Sequence, residues 1–147
     1  MSDDITRLGA LELSAAIHAR QVSCVAVMQA YLDRIDRLNP GLNAIISMKP
    51  AERLLAEARA MDDLAARGRW MGWMHGMPQA IKDLASTKDI RTTLGSPLYK
   101  DFQPTEDSII VDRVRRAGAI VIGKTNTPEF GLGSQSYNPV HGATRNA

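Results

Sequence analysis

Lys82 lies in the stretch GMPQAIKD, Gly76 to Asp83. Trp73, Met77, Ala80, Ile81 and Leu84 make its surroundings apolar, and Gly76 and Pro78 punctuate the entry, a pattern that predicts a short strand leaving a loop with the lysine at its end. An ammonium withdrawn from water has its charged form disfavoured, so its pKa falls and the neutral amine can accept a proton. Lys82 is therefore a candidate general base. The competing reading is that its stem lies along the apolar surface while its head snorkels to water. Lys124, at the end of the apolar run AIVI, is a second lysine at a strand end and the rival candidate.

Lys124 also completes GAIVIGKT, Gly118 to Thr125, which matches the phosphate-loop pattern G-x-x-x-x-G-K-[ST]. A phosphate loop needs a strand before its first glycine and a glycine-rich turn whose N–H groups wrap the phosphates. Here the order is inverted. The residues before Gly118 are helical in pattern, and Ala-Ile-Val-Ile is a strand whose N–H groups belong to sheet pairing. Nucleotide binding is declined on that ground.

Other chemistry-bearing residues are sparse. Cys24 is the single cysteine, excludes an internal disulfide, and sits in a helical pattern as a small packing residue. His18, His75 and His141 are far apart without metal-ligand spacing, so no metal is expected, and no cofactor is implied. Trp70 and Trp73 lie in the loop before the lysine strand, where they either line a pocket or seal a core edge.

Among 147 residues, 44% are hydrophobic and 18 basic residues face 16 acidic ones for a net charge of +2, without a block of like charge. These values suit one domain with a real core and give no sign of nucleic-acid binding. The acidic start and short apolar runs argue against a signal peptide or membrane span, so a cytoplasmic location is expected.

The elements that must position the lysines follow in order. A short helix over Leu8, Leu11 and Ala15 is expected to end near Arg20. Ser23 then caps a second helix with the stripe Val25, Met28, Leu32 and Ile35, which Asn39-Pro40-Gly41 is expected to stop. A strand follows over Asn43 to Met48. A third helix opens at Pro50, carries Leu54, Leu55, Ala58, Met61 and Leu64 inward, and ends at Gly68. After the lysine strand, Ala85 to Thr93 reads as an irregular excursion with a short extended piece around Ile90, ending at the Gly95-Ser96-Pro97 turn. Thr105 to Ser108 caps a helix running to Ala117, and Ala119 to Ile122 is a fully apolar strand. Pro128 opens one short helical turn. Gly131 to Ala147 reads as extended and irregular. Helices to about residue 70, then helix and buried strand in alternation, predict an α/β fold.

In this order, GMPQAIKD, TTLGS at Thr92 to Ser96, DSIIVDRVRRAGAIVIGKTNTPEFGLGS at Asp107 to Ser134 and NPVHGATRN at Asn138 to Asn146 resemble the amidase signature family. The resemblance covers the whole chain. It implies a mixed sheet with flanking helices, of which residues 1–147 are the N-terminal portion of one domain, and an amidase-type hydrolase or amidotransferase acting on a carboxamide C–N bond through a serine, serine, lysine triad. Lys82 matches the triad lysine. The segment Gly131, Gly133, Ser134 and Gln135 matches a stretch beside the family's acyl pocket, which makes these residues candidates for substrate contacts. The family's glycine- and serine-rich segment, with the bridging and nucleophilic serines, would lie beyond Ala147, and Ser86, Ser96, Ser108, Ser134 and Ser136 have no such setting.

The resemblance implies a small-molecule amide as substrate of the complete protein, no membrane partner, and inactivity of these 147 residues alone. Apolar strands wanting cover on both faces imply association with a complementing chain or a homo-oligomer. The alternative is a non-catalytic stand-alone chain acting as a binding or assembly partner.

Overall fold

The computed structural model describes residues 2–146, and for Ser2 and Asp3 only the backbone. Its elements are α1 (Ser2–Ile5), α2 (Ala10–His18), α3 (Cys24–Leu42), β1 (Ile45–Met48), α4 (Ala51–Ala66), β2 (Pro78–Lys82), α5 (Ile109–Arg116), β3 (Ile120–Thr125), β4 (Tyr137–Asn138) and β5 (Gly142–Ala143). Short 3-10 turns occupy Pro97–Tyr99 and Glu129–Gly131.

The larger sheet has the order β1-β3-β2. β1 runs antiparallel to β3, with Ser47 opposite Lys124 and Met48 opposite Gly123. Ile120 N–H donates to Met77 O at one end of β2, and Asp83 N–H donates to Thr125 O at the other. Residue numbers rise together along these bonds, so β2 and β3 are parallel and the sheet is mixed. The fold is α/β, as the alternation of elements implies. β3 is buried from Ile120 to Lys124, which fits a central strand with sheet neighbours on both sides.

The chain divides into two compact units. The first comprises Met1–Arg37, Pro50–Gln79 and Arg113–Val121. Its core is built from Leu13 and Ile17 of α2, Cys24, Val27, Met28 and Leu32 of α3, Leu54 and Ala58 of α4, and Ile120 and Val121 of β3. α3 starts where the sequence places it, with Ser23 Oγ accepting from Ala26 N–H at 3.0 Å. A second cap was not foreseeable from local sequence. Asp62 reaches from α4 to accept from Cys24 N–H at 2.7 Å and Val25 N–H at 3.0 Å, setting a carboxylate on the positive end of the helix. Asp62→Ala is expected to cost about 1–2 kcal/mol, read as a lower unfolding midpoint in urea at unchanged m.

Burial, and then the neighbouring Asp62 carboxylate, push the Cys24 thiol up to about 12, so Cys24 is a packing residue. A Cβ on Gly76 would lie 2.2 Å from Cys24 Sγ, and Gly76 also has φ +74°. Gly76→Ala therefore meets both a clash and a strained backbone, and is expected to destabilise by more than about 2 kcal/mol, measured by thermal unfolding. Cys24→Ala in the same chain should recover part of the loss by emptying the contested space.

The second unit comprises Leu38–Lys49, Ala80–Asp112 and Ile122–Ala147. The expected stop at Asn39-Pro40-Gly41 is corrected here, since α3 continues through Pro40 to Leu42. Proline sets a helix-compatible φ, and in an exposed last turn it forfeits only one intrahelical bond. The end is made by Asn43 at φ +53°, and by Asn39, whose Oδ1 accepts from Ala44 and Ile45 N–H. That turn delays β1 to Ile45, two residues later than expected. No strand forms around Ile90, which is buried in an irregular loop. The segment expected to be irregular after Gly131 instead contains the β4-β5 hairpin, pairing Tyr137 with Ala143 and Asn138 with Gly142.

Candidate active site

At the end of β2 the alternation of a strand decides which side chains face where. Ile81 and Asp83 are buried and Lys82 between them is exposed. The expected desolvation of Lys82 is therefore corrected. Its strand position is as read, but of its apolar neighbours Met77 and Ile81 are buried while Leu84 and Trp73 are themselves exposed, so they do not enclose it. Lys82 Nζ donates to Asn126 O at 2.7 Å.

Lys82 opens onto a cleft of about 220 Å3 that it lines with Thr127, Pro128, Gly131, Gly133, Ser134 and Gln135, among others. The four residues singled out in the Gly131 to Gln135 segment are thus brought to the same cleft as the lysine. The wall bends sharply. Phe130 and Gly131 have φ +51° and +76°, and a Cβ on Gly131 would lie 2.9 Å from Leu84 Cδ1. Among the described residues, the N–H groups of Gly133, Ser134 and Gln135 donate to no protein acceptor.

Lys124 has the environment expected of Lys82. It is fully buried, and Nζ donates to Ala85 O and to Thr87 Oγ1, the latter at 2.7 Å. Burial lowers its pKa from 10.5 to about 8, against the opposing pull of Asp83 and Asp107. Two of its donors are committed to the loop after β2. GAIVIGKT is strand along Ile120–Thr125, so the phosphate-loop reading fails in the structure as it does on mechanism.

A buried polar cluster begins at the residue after Lys82 and is not evident from local sequence. Asp83 is fully buried and accepts from Thr93 N–H and, at 2.6 Å, from Thr93 Oγ–H. Since the hydroxyl proton goes to Asp83, His141 Nε2–H is the donor across its 3.1 Å contact with Thr93 Oγ1. Burial lowers the pKa of His141. The only sequence signal was the density of Thr, Asn and Asp at loop positions, which reads as turn chemistry.

The remaining sequence candidates are structural. Met71 N–H donates to His75 Nδ1 at 3.1 Å, which leaves Nε2–H to donate to Met61 O at 3.0 Å in a fully buried ring. Trp70 stacks on His18 at 4.5 Å and meets His75 edge-on at 4.8 Å, sealing that cluster. Trp73 is more than half exposed. Among the described residues, no group of three or more His, Cys, Asp or Glu is placed to hold a metal, and no helix is long and apolar enough to cross a membrane.

Residues 26–147 match the family model described as Amidase. The chain is 40% identical over 143 residues to a glutamyl-tRNA(Gln) amidotransferase subunit from Acidothermus cellulolyticus and 39% identical to its counterpart from Thermobifida fusca. Each match covers 97% of this chain and 28% of the relative. Among solved structures, the peptide amidase from Stenotrophomonas maltophilia superposes with TM-score 0.84 at 34% identity, covering 95% of this chain and 30% of that one. A fatty acid amide hydrolase gives TM-score 0.91 at 25% identity, covering 99% and 26%. The chain thus spans less than a third of the length of these relatives.

Proposed function

The chain belongs to the amidase family, and from that premise we propose that it supplies the lysine and one wall of the substrate cleft of an amide-cleaving or amide-transferring enzyme. The carrying observation is that Lys82, and not Lys124, opens onto the cleft lined by Gly131, Gly133, Ser134 and Gln135, while Lys124 is spent on Ala85 and Thr87. In this reading Lys82 takes the proton of a bridging serine, which takes the proton of a nucleophilic serine. The nucleophile attacks the carboxamide carbon, the C–N bond breaks, and the amine leaves with the proton returned through the same path. Both serines come from chain that complements these residues. The N–H groups of Gly133, Ser134 and Gln135 are free to hold polar atoms of the substrate.

Exposed Leu98, Phe102 and Leu132 of the second unit support association with complementing chain, since such side chains gain from cover. Residues 1–147 alone are expected to turn over none of a panel of simple primary amides, because triad members act as a unit. Turnover by this chain that vanishes in Lys82→Ala would overturn the reading, and would mean that Ser86, Ser96, Ser108, Ser134 or Ser136 supplies the nucleophile.

A further inference from the structure

We propose that the paired side-chain amides of Asn126 and Asn138 are positioning residues for Lys82, an inference that rests on Lys82 being the base. An exposed lysine on a four-carbon stem samples many rotamers, and a proton transfer needs the nitrogen in one place. The place is set by the acceptor, Asn126 O. That carbonyl belongs to the peptide between Asn126 and Thr127, and both of its flanks are pinned. Asn126 N–H donates to Ala44 O at 3.0 Å, Thr127 N–H donates to Asn126 Oδ1 at 3.0 Å, and Thr127 O accepts from Asn138 Nδ2 at 2.8 Å.

The two amides are saturated. A primary amide has two N–H donors and an oxygen with two acceptor positions. Asn126 Nδ2 donates to Gly142 O and Thr144 Oγ1, while its Oδ1 accepts from Thr127 N–H and, at 2.7 Å, from Asn138 Nδ2. The second Asn138 donor goes to Thr127 O, and its Oδ1 accepts from Val140 and His141 N–H. Both residues are buried, at 4% and 5% exposure, as is Thr127, so losing the bonds among these three strands polar groups away from water. Aspartate has no donors to offer, leucine neither donors nor acceptors, and glutamine is a methylene too long. The pair therefore fixes the Asn126 carbonyl against the β4-β5 hairpin, and through it the ammonium.

Hydrogen exchange of the Lys82 side-chain ammonium, followed by NMR on the full chain and assigned by its loss in Lys82→Arg, tests this. In Asn138→Ala the exchange should quicken about tenfold, the equivalent of one lost hydrogen bond, while exposed Lys100 is unchanged. Thr144→Val removes, at a half-buried site, one acceptor of the Asn126 amide together with the hydroxyl's own donation to Asn43 O, and should quicken it about two- to threefold. If Asn138→Ala does not fold, Thr144→Val decides. A folded variant in which Lys82 exchanges at the wild-type rate overturns the proposal. The measurement is indifferent to whether Lys82 reacts, whereas loss of turnover in Lys82→Ala bears on the base alone.

Discussion

Lys82→Ala is expected to lower kcat for amide cleavage by about a thousandfold or more in the protein complete with its nucleophile, with KM nearly unchanged. Alanine removes the proton acceptor and leaves the cleft backbone in place. Because Lys82 is exposed and makes its bond to a carbonyl at the strand end, the fold loses little, and the unfolding midpoint should stay near wild type. Lys82→Arg should be as inactive as alanine, since a guanidinium stays protonated at any working pH. Rates retained within about tenfold in a folded Lys82→Ala protein would remove the lysine from the chemistry and point to direct activation of the nucleophile by another group.

The position of Lys82 was legible because a strand end is a local property. Pro78, the apolar run and the following polar loop define it without tertiary information. Its exposure was not legible, because a run of apolar neighbours says how buried an element is and not which face one side chain takes. Alternation would have helped: Ile81 inward and Asp83 inward leave Lys82 outward. Asp83 itself reads as a surface carboxylate until Thr93, ten residues on, folds back to bond it.

Asn126 and Asn138 were equally hidden. Each looks like a turn residue, and only their meeting across twelve residues makes a saturated pair. Pro40 does not stop α3 for a thermodynamic reason, since proline is costly in a helix interior and cheap in an exposed last turn. β3 was the easy case. Its β-branched composition makes both its strand character and its burial visible, and those two together also dispose of the phosphate-loop match.

Replacing Lys124 should change stability in a pH-dependent way. Its pKa is about 8 in the folded chain and 10.5 when unfolded. Below pH 8 both states carry the proton, and the folded state bears the full cost of a buried charge. Between pH 8 and 10.5 the unfolded state binds more protons than the folded one, so stability rises with pH, by up to about 1.4 kcal/mol per unit and about 3 kcal/mol in all. Above 10.5 the contribution is flat. Lys124→Met removes the titrating group and keeps the stem volume. Thr87 Oγ still donates to Ala85 O at 3.0 Å, so that carbonyl is not stranded. The methionine variant should therefore be close to wild type at neutral pH and gain nothing over the alkaline window. Lys124→Ala also removes the titrating group and leaves a cavity beside β3, so it should lie about 2–4 kcal/mol below Lys124→Met at every pH. Urea unfolding at pH 7.5, 9 and 10.5 separates the cases, because tyrosine ionisation is common to all three proteins and cancels in the differences. Equal pH slopes in wild type and Lys124→Met would show that the Lys124 ammonium keeps its charge inside the fold, held by Asp83 and Asp107 against the cost of burial.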